Sequence, residues 1–268
     1  MPFLAGYMVP HPPIAVHEIG KGEEKKIQKT LDSFAQVAED VAALQPETII
    51  LTSPHSVMYR DYIHISPGAG AEGSFRRFGA GKVRFSVRYD RELADAIASQ
   101  AGASGFPAGT MGERDPQLDH GTMVPLYFID QKYREYQLVR IGLSGLSLES
   151  HFAFGKMIRR AVEQTGRRCV FIASGDLSHC QKKDGPYGYR PEGPAYDEKI
   201  MEVMGQGSFD RLTGFDEQLL EDSMECGHRS FTIMGGAFEG IRVETRMLSH
   251  EATFGVGYGL CMYHPVQE

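Results

Sequence analysis

The chain has 268 residues, with 28 basic and 35 acidic side chains for a formal net charge of −7, and 41% of its residues are apolar. A chain of this length buries roughly three quarters of its unfolded surface without disulfide staples, and the composition excludes disordered and fibrous classes. The acidic balance argues against a nucleic-acid binder, which needs a basic face to displace counterions, and no apolar run approaches the ~20 residues that span a bilayer.

The first readable element is the apolar run Phe3–Val9, stopped by His-Pro-Pro at 11–13. Residues 22–44 then place Ile27, Leu31, Phe34, Val37, Val41 and Leu44 at spacings of three and four, which predicts an amphipathic helix. Gln45-Pro46 closes it, and the β-branched run Thr48-Ile-Ile-Leu-Thr reads as a buried strand. Strand, helix and strand in that order imply a βαβ unit and a partly parallel sheet. Further strands are expected at 62–65, 83–87, 137–141, 170–173 and 256–262, and helices near 90–101, 121–131, 148–164, 195–205 and 228–239. Residues 66–74 and 182–191 are rich in glycine and proline and read as loops. No repeat or interdomain linker breaks the chain, so residues 1–268 are expected to form one α/β domain with a central mixed sheet flanked by helices. The four cysteines (Cys169, Cys180, Cys226, Cys261) form no CxxC pair, and the opening segment has no basic, apolar leader pattern. Both features predict a cytoplasmic protein with reduced thiols.

Chemistry-bearing residues gather where α/β sheets build their sites, just beyond strand ends. His11 follows the first strand, His55 the second, and His179 ends the Ala-Ser-Gly-Asp-Leu-Ser-His stretch after the strand at 170–173; His120 precedes a helix. A lone histidine is more often structural than a ligand. Recurrence after successive parallel strands brings several to one edge, where His11 and His55 can share an ion. The segment Met224-Glu-Cys-Gly-His-Arg offers Glu225, Cys226 and His228 as a third donor. A carboxylate there completes the pattern of non-haem Fe(II) sites, whereas a thiolate shifts the preference toward zinc or copper. The plainer roles are a helix cap for Glu225 and a small buried residue for Cys226.

The motifs resemble the class III extradiol ring-cleavage dioxygenase superfamily, the LigB-like fold. Among its branches they are most similar to the Memo and AmmeMemoRadiSam-associated proteins. The resemblance runs through Val9-Pro-His-Pro-Pro-Ile, Ser53-Pro-His, Arg77-Phe-Gly-Ala, Leu118-Asp-His-Gly-Thr, Ser174-Gly-Asp-Leu-Ser-His, Gly188-Tyr-Arg-Pro, Glu225-Cys-Gly and Phe254-Gly-Val-Gly-Tyr, nearly the whole chain. It implies a single LigB-like domain that opens the ring of a small catecholic aromatic with O2. The implied cofactor is Fe(II), with zinc or copper as the alternatives, and a homo-oligomer or small partner subunit is compatible with it. His11, His55 and Glu225 would hold the metal, with Cys226 competing for the third position. His179 would be the acid/base that takes the catechol proton, a task suited to a histidine poised near neutral pH, and His120 would hold substrate or the oxygen-derived group. Asp119 and Asp176 would orient imidazoles, and Arg77, with Arg76 and Lys182, would face a substrate carboxylate or solvent. Relatives commonly carry proline at His17 and tyrosine at His250, so His17 is expected as either an additional ligand or an exposed residue, and His250 as a pocket-lining residue. The alternative from the same resemblance is a Memo-like protein using the cleft for metal or partner binding without ring cleavage.

Overall fold

The computed structural model describes residues 3–266. In chain order, β1 (Phe3–Val9), the one-turn helix α1 (His17–Gly20) and α2 (Gln28–Leu44) lead into β2 (Thr48–Ser53). The short β3 (Ile63–His64), the hairpin of β4 (Gly70–Phe75) and β5 (Ala80–Arg88), helix α3 (Arg91–Ala103) and the short β6 (Ala108–Gly109) follow. Next come α4 (His120–Ile129), β7 (Gln137–Gly142), α5 (Leu148–Thr165) and β8 (Cys169–Ser174). The chain finishes with α6 (Glu192–Gly205), α7 (Glu217–Ser223), α8 (His228–Ala237), β9 (Val243–Glu251) and β10 (Tyr258–Pro265).

The central sheet has six strands in the order β7-β2-β8-β1-β10-β9. β7, β2, β8 and β1 run parallel, while β10 and β9 are antiparallel additions beside β1. Helices cover both faces, so the parallel strands read as continuous apolar runs rather than alternating ones; every residue of β2 and of β8 is buried. Alternation survives only as a division between two cores. Ile49, Leu51, Val170 and Ile172 face Phe34 and Val37 of α2 and Val124 and Leu126 of α4. Ile50 and Phe171 face Phe154 and Ile158 of α5 and Phe231 and Ile233 of α8. Helices α5 and α8 meet through glycines: a Cβ on Gly236 would lie 1.9 Å from the Phe152 carbonyl oxygen. Among the described residues, no helix is long and apolar enough to cross a membrane.

Most expected elements form within a few residues of their expected bounds, and the departures have physical causes. The segment read as a loop at 66–74 holds all of β4 but its last residue, Phe75. Its glycines have low strand propensity, yet Gly70 packs so closely on β5 that a Cβ would lie 2.1 Å from the Val87 carbonyl oxygen. β9 was not expected at all: it is an edge strand, solvated on much of both faces, and so carries no apolar alternation. Helix α7 was missed as well, and α2 begins at Gln28, after a 3-10 turn over Glu23–Ile27.

Candidate active site

All four parallel strands end at one edge of the sheet, and the loops leaving β1 and β2 carry His11 and His55. Those strands are separated by β8, a gap of about 10 Å at normal strand spacing. The side chains lean together across it until the two Nε2 atoms are 3.1 Å apart. The Sγ of Cys226 lies 3.6 Å from His11 Nε2. One ligand atom from each of His11, His55 and Cys226 falls within 4.8 Å of the others, the one such cluster among the described residues.

The tautomer of His11 is set by its neighbours. The Ser174 hydroxyl donates to the Gly121 carbonyl at 2.6 Å, so its oxygen accepts from His11 Nδ1–H at 2.9 Å. That leaves the lone pair on Nε2, the atom that faces His55 and Cys226, as a metal ligand requires. Burial, reinforced by His55, His120 and His179, pushes His11 well below its ordinary pKa. The backbone N–H of His11 donates to Asp176 Oδ1 at 2.7 Å, and burial lifts that carboxyl to about 7.

Asp119 organises the other side. As N-cap of α4 it accepts from the Thr122 backbone N–H, and it also accepts from the Ser53 hydroxyl, whose oxygen in turn holds the His55 backbone N–H at 3.2 Å. Capping α4 in this way fixes His120 as the first helical residue. Its ring lies 4.0 Å from that of His55 and 5.4 Å from that of His11, centroid to centroid. Burial, then His55, lowers His120 to about 4. His179 donates from Nδ1 to the Met224 carbonyl at 2.6 Å, leaving Nε2 as an acceptor, and burial lowers its pKa.

Glu225 and Cys226 part company. The Glu225 carboxylate turns to the start of α8 and accepts from the His228 backbone N–H at 2.6 Å, where it satisfies an unpaired helix donor. Cys226 takes the place beside the histidines. Two glycines deliver it: a Cβ on Gly175 would lie 2.1 Å from Gly227 Cα, so only here can the loop before α8 press against the end of β8. Burial, then Asp176 and Glu225, raises the Cys226 thiol well above its ordinary value.

His17 stays outside the cluster; its ring pairs with Glu24 at 2.8 Å and its side chain is 75% exposed. His250 reaches the cleft only indirectly, through Asp197 at 2.7 Å, whose other oxygen holds the Ser178 N–H next to His179. Arg77 lines a cavity of about 720 Å³ together with Arg76, Phe78, Arg84, His55 and His120. Sequence reasoning missed Ser53, Ser174, Arg84, Asp197 and the buried Arg140, which stands 3.8 Å from Asp119. Serine closing two neighbouring parallel strands, each just before a His- or Asp-bearing loop, was the available signal.

Two imidazoles and a thiol at the carboxyl edge of a mixed α/β sheet, flanked by two more imidazoles, define a protein with a candidate non-haem metal cleft. The family described as "Catalytic LigB subunit of aromatic ring-opening dioxygenase" matches residues 5–261, and the chain belongs to it. The chain is 40% identical over 262 residues to Protein CA_C1420 of Clostridium acetobutylicum, covering 95% of this chain but only 56% of that protein's length. It is 23% identical to the 2-aminophenol 1,6-dioxygenase beta subunit of a Pseudomonas species, across 98% of this chain and 94% of the relative. The crystal structure of the uncharacterized protein JW3007 from Escherichia coli K12 shares the fold, with a TM-score of 0.63 and 11% identity over 97% of this chain and 99% of that one.

Proposed function

We propose that the chain is a metal-dependent ring-cleaving dioxygenase of the extradiol type, acting with O2 on a small catechol or aminophenol. The observation that carries this reading is His179. Its Nδ1–H is committed to the Met224 carbonyl, burial keeps the ring neutral, and Nε2 is left free as a base beside the His11/His55 pair. A site that only stored a metal would not need it. His11, His55 and Cys226 would hold the ion, and the fit is chemical: two neutral imidazoles and a thiol converge with a lone pair already aimed inward. Fe(II) held there would supply neighbouring coordination positions for O2 and for the aromatic's deprotonated hydroxyl. His179 would accept the hydroxyl proton at Nε2 and return it as the ring opens, while neutral His120 would donate or accept one hydrogen bond at the aromatic's own oxygens. Asp119 and Ser174 keep the imidazoles in orientation. The family and the name of the Pseudomonas relative support the reaction class, and that relative's description as a subunit supports assembly with itself or a partner chain.

One observation favours a second reading. A thiolate in the third position is a softer donor than a carboxylate and draws zinc or copper, which suits a Memo-like metal-binding protein that does not cleave rings. Oxygen uptake by the Fe(II)-reconstituted protein with catechol, 2-aminophenol and their ring-substituted analogues separates the two. Uptake that depends on the aromatic, and that disappears in His179→Ala while metal is retained, supports the dioxygenase. Retained zinc or copper with no uptake from any compound moves the function to the second reading.

A further inference from the structure

Arg140 on β7 is 1% exposed, yet among the described residues no carboxylate lies within hydrogen-bonding distance of it. Its guanidinium donates to the Ser66 hydroxyl at 2.8 Å and to the carbonyls of Gln117 and Asp115 at 2.6 and 2.7 Å. The nearest carboxylate, Asp119, stands 3.8 Å away and already accepts from Ser53 and Thr122. A buried cation with so thin a counter-charge is costly, and a neighbouring anion relieves it. A second cavity, of about 350 Å³, lies beside it. Ser66, the hydroxyl that Arg140 holds, lines that cavity with Tyr89, Arg91, Asp95, Thr110 and Arg114, and no lining residue is shared with the cavity that opens onto His55 and His120. The Tyr89 ring centroid is 6.0 Å from the Arg140 guanidinium carbon, and its hydroxyl, on a residue only 4% exposed, has no hydrogen-bond partner. Even with the Ser66 and Tyr89 hydroxyls bonded to each other, one of their two hydrogens has no acceptor among the described residues. At the rim, Arg91 and Arg114 form no ion pair among the described residues, and Asp95 is the one carboxylate of the wall. Arg91 is also the first residue of α3, so the cavity lies against the start of a thirteen-residue helix, where the backbone dipole favours an anion. Two unpaired guanidiniums, spare hydroxyl hydrogens and a helix start offer more donors than one carboxylate accepts; they suit the three free oxygens of a phosphate.

We propose that this second cavity binds the phosphate group of a small molecule, held by Arg91 and Arg114 at the rim and by Ser66 and Tyr89 at the floor, with Arg140 behind them as the buried counter-charge. The inference is independent of the reaction proposed for the histidine cleft. Calorimetric titration of the full chain with glycerol 3-phosphate, and with glycerate as the carboxylate of similar size, tests it. The wild type binds glycerol 3-phosphate saturably, with a Kd of about 1 mM or tighter, and glycerate about tenfold or more weakly. Arg91→Gln and Arg114→Gln each weaken the phosphate about tenfold, the scale of one charge-assisted hydrogen bond. Both side chains are exposed, so an unaltered unfolding temperature is expected and confirms the fold. Arg77→Gln, in the wall of the other cavity, leaves the affinity at the wild-type value. No saturable binding, glycerate bound as tightly as the phosphate, or a loss that appears in Arg77→Gln while both rim variants keep wild-type affinity overturns the proposal.

Discussion

Cys226 and Glu225 are neighbours in sequence with opposite assignments, and exchanging each in turn gives the sharpest local test of the site. Cys226→Ala removes one of three ligand atoms that lie within 4.8 Å of one another. Four-ligand structural zinc sites hold their ion with about 10–16 kcal/mol, or about 2.5–4 kcal/mol per ligand, so the loss is a ~10²–10³-fold weaker affinity. Glu225→Gln leaves an oxygen to accept from the His228 N–H at the start of α8; it costs at most about 1 kcal/mol of stability and changes metal affinity less than tenfold. Competition against a chromophoric chelator under anaerobic conditions reads both affinities. Cobalt substitution adds a spectroscopic mark, since a thiolate ligand gives an intense near-ultraviolet charge-transfer band that Cys226→Ala lacks. The reverse pattern would refute the assignment: wild-type affinity and an unchanged spectrum in Cys226→Ala, with the loss appearing in Glu225→Gln.

His151, far from the cleft in sequence and buried in α5, donates from Nδ1 to the Ser147 carbonyl at 2.8 Å, and burial lowers its pKa to about 4. Its folded value lies below its unfolded one, so the unfolded chain binds the extra proton as pH falls from about 6.5 to 4, and this one residue's contribution to stability drops by about 3 kcal/mol over that window. Denaturant titrations from pH 4.5 to 7.5 should show a fall to which His151 adds, beside the other buried histidines His11, His120 and His228, and His151→Gln should make it shallower; an unchanged slope would mean the ring is not held neutral. Gly236→Ala forces a methyl to within 1.9 Å of the Phe152 carbonyl oxygen and should cost about 1–3 kcal/mol as α5 and α8 separate, read as a lower unfolding temperature. An unaffected transition would show that the two helices can slide apart freely.

Much of the site was written in the local grammar of strand ends. His11 and His55 each fall two residues past a parallel strand, so the edge they share follows from the strands being parallel. Asp119 before His120 is an N-cap signal, and the helix begins where it says. Which of Glu225 and Cys226 faces the histidines was not legible, because it is set by a glycine-to-glycine contact between Gly175 and Gly227, more than fifty residues apart in sequence. His17 stands only six residues from His11 in sequence, but the turn of α1 carries it outward to Glu24. Strands β4 and β9 escaped notice for the same kind of reason: each is specified by its partner strand rather than by its own propensity or alternation.

The central claim is that this chain's own His11, His55 and Cys226 hold a metal ion within reach of His179. Metal content of protein purified without oxygen, wild type beside His55→Ala, tests it most directly. Stoichiometric metal in the wild type and its loss from the folded variant is the predicted result. Metal retained in full by folded His55→Ala, or a wild type that binds none of iron, zinc or copper when they are supplied, would contradict it.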